Sequence, residues 1–348
     1  MSEETTNVQA TEVEHESLSD SVRALSPTRL VVKRFFRSRL SIVGLVIIIF
    51  LFLFSYVGPL FIPYGEYEIF TIPTEVKVTS SESFKGADGE TYQYCDVSVG
   101  INNYQALPSK DHWLGTDTNG MDVFVRLMYG GRISLTLSFL VVFLETLIGI
   151  FFGGISGYCA GKIDMVIMRV VDIINCIPTM PVLLVVSSVL RAMPTSVVPV
   201  DARIYCLMGF LTLIGWAGTA RMVRGQILSL REQEYMVAAE ATGISARAKI
   251  FRHLIPNVMP QLIVQMTLGL GGVILYESTL SYLGLGVQIP KAAWGTMISL
   301  ADPSKGQNIL QYYPNLWIAP GILIVLAVLA FNFVGDGLRD AIDPKMKR

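Results

Sequence analysis

Charged side chains are scarce in this sequence, and neither sign is in excess. Asp, Glu, Lys and Arg make up 16% of the 348 residues, the formal net charge is -1, and 52% of the residues are hydrophobic. Soluble domains carry about 25% charged residues, so the composition is that of a membrane protein. The length would allow two soluble domains, but the long apolar runs predict one membrane domain. The balanced charge gives no support for a nucleic-acid partner.

Histidine and cysteine are also rare. The 4 cysteines form no C-x-x-C pair, and three of them fall in or beside apolar segments. This pattern predicts neither a zinc site nor a disulfide framework. The 3 histidines suggest no Ser–His–Asp or Cys–His catalytic set. A metal site formed by His112 and nearby aspartates is an alternative, but we favour a loop packed against the membrane surface.

A complete phosphate-binding loop is missing too. The nearest match is Gly161-Lys162, but position 156 is Ser rather than Gly, and position 163 is Ile rather than Ser or Thr. These positions matter because backbone N–H groups cradle the phosphates and the hydroxyl binds Mg²⁺. We therefore predict that this chain holds no cofactor and is not itself an enzyme.

What the sequence has instead is a series of long apolar segments. Each is long enough to cross a bilayer as a helix. They predict an all-α membrane protein with six transmembrane helices at Leu40–Ile62, Ile133–Cys159, Met165–Leu190, Ile204–Ala220, Val258–Leu280 and Trp317–Val334. Basic residues cluster before the first segment, after the fourth and after the last. The positive-inside rule therefore predicts cytoplasmic N- and C-termini in a multi-pass protein of the cell membrane.

The chain divides into four parts on this basis. Residues 1–27 are polar and acidic, without apolar periodicity, and are predicted to form a disordered cytoplasmic tail. Residues 28–62 hold a basic cluster and the first transmembrane helix. Residues 63–122 form an external insert. Residues 123–348 form a core of five transmembrane helices with a cytoplasmic loop at 229–257.

The external segments carry strand and interface signals. Alternating residues at Glu75–Thr79 and Thr91–Tyr94, on either side of a turn at Gly86–Gly89, favour a small β-structured insert. Further along, Trp294 and the Tyr312-Tyr313 pair are predicted to anchor the chain at the membrane interface.

The cytoplasmic loop has the pattern of two short helices joined by a glycine corner. Ser229 and Glu232 form an S-x-x-E capping box, which predicts a helix from about Leu230 to Thr242. Gly243 is the residue type that follows a helix end. A second short helix is predicted to begin near Ser245 and to end before Pro256, because a proline disfavours helix in the residue before it. On the first helix, one face at helical spacing carries Tyr235, Ala238, Ala239 and Thr242.

Charged and glycine residues also mark the membrane segments. Glu145 and Glu277, within or at the end of spans, are predicted to face a water-filled path or an interhelical partner. Arg169 and Asp172 are spaced to pair with each other along one helix. Four glycines at i, i+4 spacing predict a surface on which another helix packs closely, at Gly149, Gly153, Gly157 and Gly161.

The loop sequence EYMVAAEATG, followed by RHLIPN, resembles the EAA loop of bacterial ATP-binding-cassette (ABC) importer permeases. The version present here is similar to the C-type permease subunit of oligopeptide and dipeptide importers. MRVVDIINCIP, ESTLSYLGLG, WGTM and GDGLRDAIDP resemble the same subunit. The resemblance runs from about Thr28 to the end, except for an insert at about 66–108. One departure is that Val237 stands where the family has Glu.

The resemblance implies a type I ABC importer permease fold and a set of partners. These are a second permease subunit, two ATP-binding subunits that hold the ATP, an external solute-binding protein and membrane lipid. The loop would dock on an ATP-binding subunit through Glu234, Tyr235, Ala238, Ala239, Glu240, Gly243, His253 and Pro256. The cargo implied is peptide. The alternatives are the same architecture importing nickel, glutathione or another small solute, and an ATP-independent carrier or channel.

Overall fold

Residues 27–72, 79–96, 101–302 and 309–342 are described by a computed structural model. Most of these residues are helical. The helices are α1 (Pro27–Phe35), α2 (Arg39–Phe52), α3 (Val123–Cys159), α4 (Gly161–Cys176), α5 (Thr179–Ala192), α6 (Val200–Arg231), α7 (Glu234–Ala241), α8 (Ala246–Ala248), α9 (Ile255–Tyr282), α10 (Trp294–Ile298), α11 (Ile309–Tyr312) and α12 (Asn315–Ile342). The predicted tail at 1–27 lies outside the described residues, apart from Pro27.

Five stretches of the described chain are long and apolar enough to cross a membrane. They are Arg39–Leu60, Val123–Cys159, Val200–Arg231, Ala246–Tyr282 and Asn315–Ile342. The first extends α2 through a π-helical turn at Leu53–Val57 and a 3-10 turn at Gly58–Leu60. The pair α4–α5 passes the same test of length and apolarity when its two helices are taken together, and counts as a sixth span if the bent pair is one crossing. The predicted all-α fold with six transmembrane helices is thus confirmed.

Proline breaks the third span rather than only kinking it. Helices α4 and α5 meet at 77°. Ile177 is extended, and Pro178 occupies the position that caps the start of α5. A proline pushes the preceding residue out of the helical region, so α4 ends at Cys176. Pro181 lies in the first turn of α5, where its missing N–H is not needed.

The segment at residues 63–122, which the sequence predicts to be external, contains two small antiparallel sheets. Strands β1 (Thr71–Ile72) and β4 (Ile101–Asn102) pair with each other, and β2 (Thr79–Lys85) pairs with β3 (Thr91–Asp96). The turn between β2 and β3 closes through Gly89, whose φ of 83° suits glycine. The predicted strand at Thr91–Tyr94 lies within β3. The other predicted strand overlaps β2 only at Thr79, because residues 75–78 lie outside the described part of the chain.

The glycine face of α3 packs on α6. A Cβ at Gly149 would lie 2.6 Å from the Thr219 side chain, and one at Gly157 would lie 2.9 Å from the Ile227 side chain. Close approach through small residues is the usual basis of helix packing in membranes. Gly161 does not belong to this surface, because it lies beyond the end of α3 with a φ of 60° and nothing within 4 Å of an added Cβ. That part of the prediction was wrong.

Buried polar contacts hold the segment before α3 to the start of α3, and link α3 to the segment between α9 and α10. Arg126 pairs with Asp117 at 3.1 Å, with both side chains 3% exposed or less, and donates to the Pro290 carbonyl. The His112 imidazole contacts the Asp122 carboxylate at 2.8 Å. Asp122 also caps α3 by accepting from the Val125 N–H. His112 is therefore engaged with one carboxylate, and the described residues contain no cluster of three metal-binding side chains.

Trp294 contributes to the core and is not an interface anchor. It is 0% exposed, and its indole N–H donates to the Leu127 carbonyl at 2.9 Å. The prediction was wrong because the segment after α9 folds back over the start of α3 and covers the ring. Tyr312, in contrast, is exposed.

Candidate functional site

The loop at residues 229–257, called the α7 loop below, forms a short helix held at the end of α6. Helix α6 continues to Arg231, and Gln233 rather than Ser229 precedes α7. The predicted capping box was therefore wrong: Ser229 lies inside α6, and Glu232 ends it. Burial overrides the local signal, since Val223 and Ile227 continue the apolar face of α6 into the loop core.

The glycine corner follows α7 as the sequence indicates. Gly243 has a φ of 74°, and its N–H donates to the Glu240 carbonyl. The next N–H, of Ile244, donates to the Ala239 carbonyl, so the last carbonyls of α7 are satisfied within the chain. Ser245 then caps α8 by accepting from the Ala248 N–H.

The second helix of the loop does not end before Pro256. It passes through a π-helical turn at Lys249–Leu254 into α9, so that Ala246–Tyr282 is continuous. Pro256 lies in the first turn of α9. Because the π-helical turn runs directly into α9, this proline lies inside the continuous helix, immediately after the turn. The predicted boundary was wrong, and the loop is joined directly to a membrane span.

Helix α7 has an inner and an outer face. Met236 and Ala239 are buried, and Met236 belongs to a cluster with the apolar side chains of α6 and α9. Tyr235, Ala238 and Thr242 are exposed. The predicted common face therefore splits, because Ala239 packs against its own chain. The exposed face presents small side chains beside one tyrosine, which suits close contact with another surface.

The remaining predicted loop residues lie around this helix. Glu240 pairs with Lys249 at 3.7 Å, linking α7 to the π-helical turn. His253 is half-buried, and its carbonyl accepts from the Asn257 amide. Glu234 and Pro256 are exposed, as is Val237.

Two ion pairs join α4 to the last part of α6, close to where α6 leads into α7. Arg224 holds Asp164 through two hydrogen bonds of 2.5 and 2.6 Å, and Ser156 donates to the same carboxylate. Arg221 pairs with Asp172 at 2.6 Å. The predicted pair of Arg169 with Asp172 was wrong. An arginine three residues before an aspartate runs against the favoured charge order along a helix, so Asp172 pairs with α6 instead.

Asp164 and Arg224 were not predicted as a pair. Arg224 entered the sequence analysis only as part of a basic cluster. The available signal was an acid in the first turn of the helix that follows the glycines of α3, on the same side of the membrane as that cluster.

The two glutamates of the membrane segments have different surroundings. Glu277 is 0% exposed, and its carboxylate accepts from the Ser134 hydroxyl at 2.8 Å and the Ser281 hydroxyl at 2.7 Å. It thereby ties α9 to α3. Glu145 is half-buried on α3, and its carboxylate lies in a notch at Gly215 of α6, where an added Cβ would be 1.8 Å from Oε1.

Comparison with known proteins places this architecture in a family. Residues 149–348 match the family described as "Binding-protein-dependent transport system inner membrane component". Residues 26–74 match the "N-terminal TM domain of oligopeptide transport permease C".

Proteins similar to this chain over most of its length have names that agree with these family descriptions. The oligopeptide transport system permease protein OppC of Bacillus subtilis is 35% identical over 94% of this chain and 93% of its own length. The dipeptide transport system permease protein DppC of the same organism is 34% identical over 95% and 90%. OppC of Haemophilus influenzae is 35% identical over 90% and 87%. With five apolar spans, a bent helix pair and a helix–glycine–helix loop, the chain belongs to the inner-membrane permeases of the oligopeptide and dipeptide ABC transport family.

Proposed function

We propose that this chain is one of two permease subunits of an ATP-driven peptide importer. It would pair with a second permease subunit to enclose the pathway, while an external solute-binding protein delivers the cargo. Two ATP-binding subunits would hold and hydrolyse the ATP, so the chain itself is non-catalytic. Peptide cargo is supported by the names of the relatives, which are oligopeptide and dipeptide permeases.

The proposal rests on how α7 is packed, with one face buried against two membrane spans and the other face exposed. Its inner residue Met236 packs into a cluster with Val223 of α6 and Val258 of α9. Its outer residues Tyr235 and Ala238 are exposed. A partner that pushes on the outer face would therefore act on two membrane spans at once. A carrier or channel has no evident use for such a helix.

A movement of α7 would be transmitted through α6 to the bent α4–α5 span. Arg224 and Arg221 bind Asp164 and Asp172 on α4. Movement of α7 would shift α6, and α6 would draw α4 with it, changing access to the pathway beside the α4–α5 bend. In this arrangement the loop and both termini face the cytoplasm, in agreement with the basic residues around them.

The experiment is purification of the tagged chain from gently solubilised membranes, followed by an ATPase assay. We expect a second permease and ATP-binding subunits to co-purify, and hydrolysis to rise with the binding protein and peptide. Stimulation by nickel, glutathione or another solute would keep the architecture and change the cargo. Purification of a lone chain, under conditions that preserve a known complex, would favour a carrier or channel.

A variant tests the coupling surface itself. Ala238→Trp places a bulky side chain on the exposed face of α7 and should prevent the ATP-binding subunits from co-purifying. Ala87→Trp makes the same exchange in the exposed turn of the external hairpin and should leave the complex intact. Ala239→Trp is less informative, because Ala239 is buried within its own chain. Normal transport by Ala238→Trp would contradict the coupling role.

A further inference from the structure

A cavity of about 250 Å³ opens beside the external end of the first span. It lies on the side of the membrane opposite the α7 loop. Its walls combine aromatic rings with a few charged groups, and include Phe61, Tyr64, Lys110, Asp111, Trp113 and Phe124. None of these residues belongs to the α7 loop at residues 229–257 or to the α4–α6 ion pairs.

The cavity lies at the depth of the lipid headgroups. The first span, Arg39–Leu60, has 22 residues. A helix of that length reaches about 33 Å, close to the hydrocarbon thickness of about 30 Å, so Leu60 marks the boundary. Phe54 within the span contacts Phe124 at 5.5 Å between ring centroids, and Phe124 contacts Trp113 at 5.0 Å. These rings lead from the hydrocarbon to the cavity wall.

Large apolar side chains stand exposed around the opening. Phe61 is 82% exposed and Trp113 is 66% exposed. Phe50 and Leu53, lower on the same span, are also exposed and extend this apolar surface into the hydrocarbon region. Tryptophan is enriched at the level where chains and headgroups meet. This continuity favours lipid as the occupant.

The charges at the cavity complement a zwitterion. Lys110 and Asp111 are both exposed, and within the described residues neither forms an ion pair. The second carboxylate of the wall, Asp122, is already occupied by His112 and by the N–H of Val125. One cation and one anion thus remain available, side by side, at the mouth of an aromatic cavity.

We propose that this cavity binds a phospholipid with a zwitterionic, amine-bearing headgroup, as in phosphatidylethanolamine. The lipid phosphate would lie at Lys110 and the ammonium at Asp111, while the upper acyl chain covers Phe61 and Trp113. Such a lipid would fix the junction between the first span and the external segment at the membrane surface.

The position of the cavity is tested by tryptophan fluorescence of the purified complex in lipid nanodiscs. The emission of Trp113 is obtained as the difference between the wild type and Trp113→Phe. We expect this emission to be quenched severalfold more by lipids brominated near the headgroup than by lipids brominated near the bilayer centre. Quenching by aqueous acrylamide alone, or by neither kind of reagent, would show water or a protein subunit over Trp113 and would overturn the proposal.

Headgroup selectivity is tested by native mass spectrometry of the same complex with lipids of matched acyl chains. The wild type should retain phosphatidylethanolamine severalfold more than phosphatidylglycerol. Asp111→Lys should reverse this preference, because it replaces the ammonium-binding group with a second cation. Glu90→Lys, a charge reversal on an exposed residue that does not line the cavity, is the matched control. Equal retention by Asp111→Lys and the wild type would contradict the assignment.

Discussion

Gly153 of α3 lies so close to α6 that a Cβ on it would be 2.4 Å from the carbonyl oxygen of Ala220. One turn earlier, Gly149 meets Thr219, and one turn later, Gly157 meets Ile227. Because the residue numbers rise together on both helices, α3 and α6 run parallel. The seam has a regular i, i+4 step and ends near the point where α6 leads into the α7 loop.

Gly153→Ala should destabilise the protein. The obstacle is a backbone carbonyl, which cannot move aside without separating the helices, and overpacking of this kind costs about 1–3 kcal/mol. Gly154→Ala is the matched control, since its Cβ would have only one atom, at 4.0 Å, for a neighbour. Thermal unfolding in detergent should show a lower midpoint for Gly153→Ala and an unchanged or higher one for Gly154→Ala. Equal midpoints would contradict the packing described here.

The two α4–α6 ion pairs should differ in how much they contribute to the stability of the folded protein. The Arg224 and Asp164 side chains are 31% and 14% exposed, whereas those of Arg221 and Asp172 are both 53% exposed. Asp164→Asn should lower the unfolding midpoint clearly, because it leaves a largely covered arginine without its carboxylate. Asp172→Asn should change stability by less than about 1 kcal/mol, as exposed pairs do. The reverse order in thermal unfolding would refute this assignment.

Glu277 is expected to act through its hydrogen bonds. Glu277→Leu leaves the hydroxyls of Ser134 and Ser281 without their buried acceptor, and each unpaired buried polar group costs about 1–3 kcal/mol. Glu277→Gln keeps an acceptor and should be much milder. The measurement is the yield of folded protein together with its unfolding midpoint. Equal loss in both variants would show that the charge, and not the hydrogen bonding, is needed.

A substitution at Gly215 can move the Glu145 carboxylate while leaving Glu145 itself in the sequence. In Gly215→Ala the new Cβ would occupy the place of the carboxylate, whose flexible end can move away, so stability should stay near that of the wild type. If the location of this carboxylate serves transport, peptide uptake should fall in Gly215→Ala and also in Glu145→Leu. Normal uptake by Glu145→Leu, at equal protein level, would remove Glu145 from both the pathway and any interhelical role.

The sequence alone predicted the features that depend on long patterns. Apolar segments of bilayer length gave the six spans, and the spacing of Gly149, Gly153 and Gly157 gave the packing face of α3. Gly243 marked the end of α7 because a helix end needs a residue that accepts positive φ. These signals are repeated or sterically strict, so neighbouring elements do not override them.

Features that depend on a single neighbour could not be predicted in this way. Gly161 fits the spacing of the ladder, but Ala160, with a φ of 51°, turns the chain before it. Arg169 has Asp172 within reach on its own helix, yet Arg221 approaches from another. Ala239 is buried against its own chain, which no local pattern of α7 reveals.

The short pairing of β1 with β4 has a consequence for how this protein can change. Ile72 and Ile101 are partners in the backbone register of the two strands, so the pairing brings together the two ends of the segment that contains the β2–β3 hairpin. The entropy of closing a loop grows only slowly with its length. Segments of different size could therefore be grafted between these strands at small thermodynamic cost. The segment between these two strands is thus free to diversify while the membrane spans keep their packing.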